Sequence, residues 1–171
     1  NGTYSSDIKQ RILDSKKMYN DAYDVRGELL CSSSDDLTLF LWNPTETDKP
    51  VCRMHGHQQI VNHCSFSPDG RLIASASFDN SVRVWDGLTG KFIVRLIGHV
   101  ENVYQICWSA DSRMIASASK DSTVKLWNLK NNKLIIDLPG HADQVFALDW
   151  SPNGEYLCSG GKDTILRIWA P

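Results

Sequence analysis

Residues 98–139 read GHVENVYQICWSADSRMIASASKDSTVKLWNLKNNKLIIDLP, and the residues on either side follow the same pattern. A Gly-His pair begins at residues 56, 98 and 140, so the pattern returns every 42 residues. Each of these His is followed 28 positions later by a Trp, and an Asp lies six positions before each Trp. A fixed period of this size indicates one supersecondary unit copied in tandem. We therefore expect function to reside on a surface rather than in a single catalytic pocket.

Each unit contains four short apolar runs separated by turn signals. Within residues 98–139 the runs fall at 103–108, 114–119, 124–127 and 134–138. In the repeat at 56–97, the turn after the first run reads Ser-Pro-Asp-Gly at residues 67–70, where Pro presets φ and Gly accepts a positive φ at little cost. Four short strands with turns between them predict one antiparallel sheet per repeat, and therefore an all-β chain.

This pattern resembles the WD40 repeat, in which each unit forms one blade of a β-propeller, over roughly residues 29 to 171. The resemblance implies an all-β WD40 β-propeller fragment of about three and a half blades. Its expected parts are a partial blade at 29–55, full blades at 56–97 and 98–139, and an incomplete last blade at 140–171.

In that family a buried hydrogen-bond relay of His, Ser, Asp and Trp holds each blade together. Carried over position by position, the resemblance implies three full relays and a partial one without a His. The full relays are His57-Ser75-Asp79-Trp85, His99-Ser117-Asp121-Trp127 and His141-Ser159-Asp163-Trp169, and the partial one is Ser32-Asp36-Trp42. A buried carboxylate is costly unless it is paired, and a His between Asp and Ser satisfies every partner. We therefore expect a structural role for these residues.

Three sets of His, Asp and Ser also suggest a hydrolase, but a catalytic triad needs one nucleophile exposed beside an oxyanion hole. A set that recurs in every repeat is typical of a structural relay instead. His55, His57 and His63 match no common zinc spacing. Lys162 follows two glycines but has no phosphate-binding loop around it. The sequence thus predicts no enzyme, no catalytic residue, no metal and no cofactor.

In propellers the loops on the relay side surround the mouth of the central channel. Three positions per repeat project there: three and five residues after the His, and the residue before the relay Asp. These positions select a candidate partner-binding face made of Ile60, Asn62, Phe78, Asn102, Tyr104, Lys120, Gln144, Phe146 and Lys162. Exposed aromatic residues beside Lys are enriched in binding surfaces. The alternative is that these rings fill the channel mouth.

Residues 1–28 lack the blade pattern. A Ser-Ser-Asp sequence at residues 5–7 can cap a helix, and Ile8, Ile12 and Tyr19 recur at helical spacing with basic residues opposite. We predict an amphipathic helix over about residues 6 to 22, within a helical insert or linker at 1–28. The alternative is a partly disordered insert. If this segment is an insertion between strands of the first blade, the innermost strand of that blade is expected upstream of the insert or outside the chain.

A more specific resemblance lies in DDLTLFLWNP at residues 35–44, SASFDNSVRVWDGLTGKF at 75–92 and DLPGHADQVFALDWSPNGEYLCSGGKD at 137–163. These stretches, like GHVENVYQICWSADSR at 98–113, are similar to the C-terminal half of the Notchless family. Members of that family assemble the large (60S) ribosomal subunit in the nucleolus and nucleus of eukaryotes.

The Notchless resemblance implies a non-catalytic scaffold whose partners are proteins of the pre-60S ribosomal particle and rRNA. In that family an N-terminal ubiquitin-like domain, not seen in this sequence, docks on the midasin-type AAA ATPase. The alternative function is a generic WD40 adaptor, such as a ubiquitin-ligase substrate receptor or a signalling scaffold.

The net charge of −2 and the pI of about 6.2 give no global basic field, which argues against a general electrostatic grip on phosphate. Five Cys without a Cys-x-x-Cys pair fit buried thiols in a reducing compartment. No apolar stretch approaches the ~20 residues of a membrane span, so no membrane partner is expected. The chain does not begin with Met, and we expect a fragment of a longer protein that self-associates through open blade faces.

Overall fold

The computed structural model describes residues 27–170 and the backbone of residues 18–23. In these ranges fifteen strands form four antiparallel sheets, and no residue is helical. No membrane-spanning helix is found in these ranges. The all-β architecture expected from the repeats is therefore confirmed for the described residues.

Each sheet is one blade, and its strands pair in chain order from the innermost to the outermost. Blade 1 contains β1 (Met18–Tyr23), β2 (Leu30–Ser34), β3 (Thr38–Trp42) and β4 (Pro50–His55). Blade 2 contains β5 (Val61–Phe66), β6 (Leu72–Ser77), β7 (Ser81–Asp86) and β8 (Phe92–Ile97). Blade 3 contains β9 (Val103–Trp108), β10 (Met114–Ser119), β11 (Val124–Asn128) and β12 (Lys133–Leu138). Blade 4 contains β13 (Val145–Trp150), β14 (Leu157–Gly161) and β15 (Leu166–Trp169).

The hydrophobic core lies between successive blades. Alternate residues of a strand point to opposite faces of its sheet, so one blade can pack against both neighbours. Val82 and Val84 of blade 2 are 0% and 1% exposed and belong to the same cluster as Ile106 and Trp127 of blade 3. Small residues such as Ala74 in β6 let the next blade approach closely. Each blade interface is thus a separate apolar layer of similar composition.

The first blade differs from the sequence-based prediction in one respect. Its innermost strand was expected upstream of the insert at 1–28 or outside the chain, but β1 (Met18–Tyr23) lies within residues 1–28, pairs with β2 and gives blade 1 four strands. The helix predicted over about residues 6 to 22 falls largely on residues 1–17, which lie outside the described residues. Where it overlaps β1 the prediction is wrong, because hydrogen bonding to β2 outweighs the helical spacing of a few apolar residues.

The residue after each relay Asp adopts a left-handed backbone conformation. The φ angles are 70° at Leu37, 64° at Asn80, 67° at Ser122 and 62° at Thr164. This conformation brings the backbone N–H two residues after the Asp onto its Oδ1 atom, as in the 3.1 Å bond from Ser81 to Asp79. Left-handed φ is costly for most side chains and least so for Gly and Asn. The repeated turn therefore carries a strain that differs from blade to blade.

The outward face of blade 4 exposes residues that the other blades bury. Leu166 and Ile168 are 69% and 66% exposed, whereas Val82 and Val84 at the same repeat positions are covered by the next blade. Cys158 and Gly160 of β14 correspond to Ala74 and Ala76 in the same way. The face therefore has the composition of a blade interface.

We expect Thr164→Asn to stabilise the protein by about 0.5–1 kcal/mol, because Asn tolerates the left-handed φ of this position better than a β-branched residue does. Asn80 occupies the same position in blade 2. Urea unfolding monitored by Trp fluorescence measures the change. The matched control is Asn80→Thr, which should destabilise by a similar amount. A change of the same sign in the two variants, or no change in either, would contradict the strain argument.

We expect these 171 residues, expressed alone, to self-associate through the face of Leu166 and Ile168, because exposed apolar sheet faces pair. Sedimentation velocity should show a weight-average coefficient that rises with concentration, and Leu166→Lys with Ile168→Lys should abolish the rise. The control replaces two exposed apolar residues elsewhere, Leu88→Lys with Val100→Lys. A monomeric parent at every concentration would refute the prediction.

Candidate functional site

The relay residues are joined by hydrogen bonds in all three full relays. In blade 2 the Nδ1 atom of His57 lies 2.8 Å from the Oδ2 atom of Asp79, and its Nε2 atom lies 2.8 Å from the Ser75 hydroxyl. The indole N–H of Trp85 donates to the same hydroxyl at 2.9 Å. The corresponding contacts in blades 3 and 4 measure 2.8–2.9 Å at His99, Ser117, Asp121 and Trp127, and at His141, Ser159, Asp163 and Trp169.

The direction of each relay follows from the donors and acceptors available. An ionised Asp only accepts, so Nδ1 of a neutral His57 carries the proton and Nε2 accepts from Ser75. The Ser75 oxygen then uses a lone pair to accept from Trp85. Hydrogen-bond donation thus runs from Trp through Ser and His to Asp. In blade 2 these bonds join the loop before β5, strands β6 and β7, and the loop between those strands.

The pKa values of the blade 2 pair fit this arrangement. Burial lowers the pKa of His57 and outweighs the opposing effect of Asp79. Burial alone would raise the pKa of Asp79, but hydrogen bonds from His57, Ser81 and the backbone N–H of Gln58 leave it far below its usual range. The folded protein therefore holds a neutral imidazole against an ionised carboxylate at neutral pH.

Blade 1 has the partial relay that the sequence implied. The indole N–H of Trp42 donates to the Ser32 hydroxyl at 3.0 Å. The Oδ1 atom of Asp36 accepts from the backbone N–H and the hydroxyl of Thr38, at 3.0 and 2.6 Å. Its Oδ2 atom lies 3.8 Å from the Arg53 guanidinium, so an exposed ion pair stands where the other blades have a His.

The loops around the relays form one face, which we call the relay face. It comprises the loops before β5, β9 and β13 and the loops β6–β7, β10–β11 and β14–β15. One backbone hydrogen bond joins the two loops of each blade: Phe78 to Ile60, Lys120 to Asn102, and Lys162 to Gln144, at 2.8–2.9 Å. Six of the nine residues predicted for a partner-binding face are thus held in pairs by the backbone.

The other three predicted residues occupy β-bulges. The pairing of β5 with β6 shifts register between Val61 and His63, which leaves Asn62 as the extra residue. Tyr104 in β9 and Phe146 in β13 occupy the corresponding positions. A bulge re-aims a side chain at the rim of a sheet. The same shift occurs in β1 between Met18 and Asn20, so it recurs in every described blade.

Three rings from three successive blades meet edge to face. The ring centroids of Phe78 and Tyr104 are 5.7 Å apart, and those of Tyr104 and Phe146 are 5.2 Å apart. We call Phe78, Tyr104 and Phe146 the aromatic ladder. The Tyr104 hydroxyl donates to the Gln144 side chain at 2.7 Å, and the Asn62 amide donates to the Tyr104 carbonyl at 2.7 Å. Phe146 remains 45% exposed, so part of the ladder is open to a partner.

Sequence reasoning did not identify the acidic partners of Lys120 and Lys162. Lys120 forms an ion pair with Glu101 at 2.8 Å, and Lys162 forms one with Asp143 at 3.3 Å. Both acids lie two residues after a relay His, where blade 2 has Gln59 and Phe78 takes the place of Lys. An alignment of the repeats would have shown that the acid and the Lys occur together in blades 3 and 4 and are both replaced in blade 2. The relay face therefore carries paired charges beside rings rather than free cations.

The geometry gives no support to a catalytic or metal-binding role for the relays. The side chains of His57, His99 and His141 are at most 1% exposed, and both ring nitrogens of each are in hydrogen bonds. No group of three His, Cys, Asp or Glu side chains is placed to hold a metal ion among the described residues. All five Cys are free thiols, including Cys31 and Cys64, which are buried beside each other.

The model of the "WD domain, G-beta repeat" family matches residues 48–86, 90–128 and 132–170. The chain is 62% identical over 66 residues to Ribosome assembly protein 4 of Saccharomyces cerevisiae, covering 39% of this chain and 13% of that protein. It is 56% identical over 85 residues to the Notchless protein homolog of Arabidopsis thaliana, covering 50% of this chain and 17% of that protein. Ribosome assembly protein 4 of Chaetomium thermophilum is 51% identical over 89 residues, with 50% of this chain and 17% of that protein covered. The chain therefore matches less than a fifth of the length of each of these relatives.

We expect Asp79→Asn to destabilise the protein by about 2–3 kcal/mol at pH 7. The Asp79 side chain is 3% exposed and accepts hydrogen bonds on both oxygens, whereas Asn has one acceptor, so a buried donor loses its partner. The control is Asp69→Asn in the β5–β6 turn, whose side chain is 41% exposed and which should cost less than about 1 kcal/mol. Equal losses in the two variants would contradict a special role for the relay.

Urea unfolding of the parent and of Asp79→Asn, repeated at lower pH, tests the direction in which stability depends on pH. The depressed pKa of Asp79 provides stability above about pH 4 that is lost in acid, and the lowered pKa of His57 removes stability as pH falls below about 6.5. Both effects lower the free energy of unfolding in acid but in successive ranges, His57 from about pH 6.5 downward and Asp79 below about pH 4. The free energy of unfolding should therefore fall from pH 7 to pH 4 and fall further below pH 4, and the fall below pH 4 should be smaller for Asp79→Asn than for the parent.

Proposed function

The chain belongs to the WD40 repeat family, and we propose that it is part of a non-catalytic interaction scaffold in the assembly of the large (60S) ribosomal subunit. The observation that carries this proposal is its identity of 51–62% with two proteins called Ribosome assembly protein 4 and with a Notchless protein homolog. The longest of these matches covers 89 residues, which exceeds two repeats of 42. Such identity goes beyond the positions that every repeat shares.

The relay face supports a role in protein binding. The aromatic ladder presents rings at low cost in conformational entropy, because Phe78 and Tyr104 are already held by ring contacts and backbone bonds. Aromatic residues in the centre of a surface patch are frequent hot spots of binding energy. The ion pairs of Lys120 and Lys162 border the ladder and favour a polar rim.

The proposed partners are proteins of the pre-60S particle, with local contacts to its rRNA. The small net charge of −2 favours protein contacts over a general grip on the phosphate backbone. By the Notchless resemblance, a separate domain engages a midasin-type AAA ATPase, and the propeller holds the factor on the particle while the ATPase acts. The corresponding localisation is the nucleolus and nucleus.

The proposal predicts that Phe146→Ala combined with Tyr104→Ala weakens association of the full-length protein with large-subunit precursor particles by about tenfold or more, which corresponds to loss of one hot spot. Affinity purification followed by identification of the co-purifying proteins and rRNA measures the association. The control is Tyr156→Ala, which removes an exposed ring from the β13–β14 turn on the opposite side of the blade.

Phe146→Ala alone keeps the test meaningful if the double variant unfolds, because Phe146 is already 45% exposed. Particle association that survives in both variants would refute the role of the ladder. Co-purification of the parent with ubiquitin-ligase or signalling components, and not with ribosomal precursors, would instead favour the generic adaptor.

A further inference from the structure

The residue two positions before the relay Trp lies on the third strand of each blade and, in blades 1 to 3, faces a residue of the outermost strand directly across the sheet. At least one residue of each of these three pairs is charged. In blade 3 these residues are Lys125 and Asp137, and they form an ion pair at 2.5 Å. In blade 1 they are Phe40 and Arg53, with the guanidinium 5.6 Å from the ring centroid. Both blades therefore give their cation a partner.

Blade 2 places two cations at this position. Arg83 of β7 faces Arg95 of β8 in register. Like charges directly opposite each other in a sheet are destabilising. Neither residue has an ion pair with any part of the chain that the structure describes. The nearby carboxylate of Asp79 is occupied by His57, Gln58 and Ser81.

The hydrogen-bond donors of Arg83 are also unused. Its Nε atom is buried without a partner, and within the described residues its guanidinium donates no hydrogen bond and rests against the Phe92 ring at 5.3 Å. In blade 4 the corresponding Arg167 donates to the Gly140 carbonyl. The same carbonyl in blade 2, that of Gly56, is engaged by the Gln58 side chain at 2.9 Å. Arg83 thus lacks the partner that its counterpart has.

Arg95 is exposed and donates one weak bond, from Nη2 to the Asp79 carbonyl at 3.4 Å. Burial lowers the pKa of Arg83, the charge of Asp79 raises it and the charge of Arg95 lowers it, and the guanidinium stays protonated at neutral pH. Two guanidinium charges therefore lie on paired positions of β7 and β8 in blade 2. Planar guanidinium groups bind carboxylates through paired, charge-assisted hydrogen bonds.

We propose that Arg83 and Arg95 bind a carboxylate from an acidic segment of a partner protein. Phe92 and Ile97 lie on the same face of β8, on either side of Arg95, and are 51% and 68% exposed. This surface suits an acidic side chain with apolar neighbours. A pair of cations between apolar residues differs from the extended basic stripe that a nucleic-acid backbone requires. The site lies on β7 and β8, whereas the aromatic ladder comprises residues of the β6–β7 loop and of innermost strands β9 and β13, so the two proposals rest on different side chains.

The test uses Arg95→Asp, which copies into blade 2 the cation–carboxylate pair of blade 3. The probe is a fluorescein-labelled hexaglutamate peptide, titrated with the full-length protein and followed by fluorescence anisotropy. We expect Arg95→Asp to weaken binding by about tenfold or more, because an internal carboxylate now occupies the site. The control Arg71→Asp makes the same change of charge in an exposed turn and should weaken binding less than about twofold.

Thermal unfolding distinguishes occupation of the site from damage to the fold. Arg95→Asp should melt at or above the temperature of the parent, because Arg83 gains a partner. Equal weakening by the two substitutions, or no binding of the peptide to the parent, would overturn the proposal. An RNA oligonucleotide of the same charge is titrated in parallel. Loss of RNA binding in Arg95→Asp with unchanged peptide binding would show that the ligand class is wrong.

Discussion

The hydrogen bond between a buried carboxylate and an imidazole is the interaction on which blades 2, 3 and 4 depend. In blade 2 the two oxygens of Asp79 have separate tasks. One shapes the turn in which the Asp lies, through the backbone of Ser81, and the other holds the loop of His57 and Gln58. Because a carboxylate is stable in such a place only when it is fully paired, the loop, the turn and the strands must form together. The relay thereby fixes the edge of the blade at which the loops of the relay face begin.

Packing between blades supplies the remaining rigidity. Each interface is an apolar layer in which buried residues of one blade pack against those of the next, as with Val84 and Trp127. Side chains that belong neither to a relay nor to an apolar layer are available for recognition. They fall into two regions: the relay face with its aromatic ladder, and the outer rim where Arg83 and Arg95 face each other. Both regions owe their geometry to the same regular backbone but differ in chemistry.

The repeat allowed much of this to be predicted from sequence. Resemblance to the WD40 repeat implied the partners within each relay, and the repeat period was sufficient to place four strands in blades 2 and 3 and three in blade 4. It failed at β1, because Met18–Tyr23 has no His or Trp to mark it and its apolar residues also fit a helix. Register was a second limit. No spacing rule showed that Tyr104 and Phe146 are bulge residues, or that Lys125 faces an acid while Arg83 faces Arg95. These facts depend on cross-strand pairing, which sequence period alone does not contain.

The backbone bond that joins the two relay-face loops has one further consequence. Phe78, Lys120 and Lys162 stand at the same place in three blades and donate the same N–H to the neighbouring loop, although one is aromatic and two are cationic. The main chain does not depend on which side chain it carries there. A substitution at such a position can therefore alter what the surface recognises while its shape is retained. Evolution can then exchange one ligand for another without rebuilding the loop.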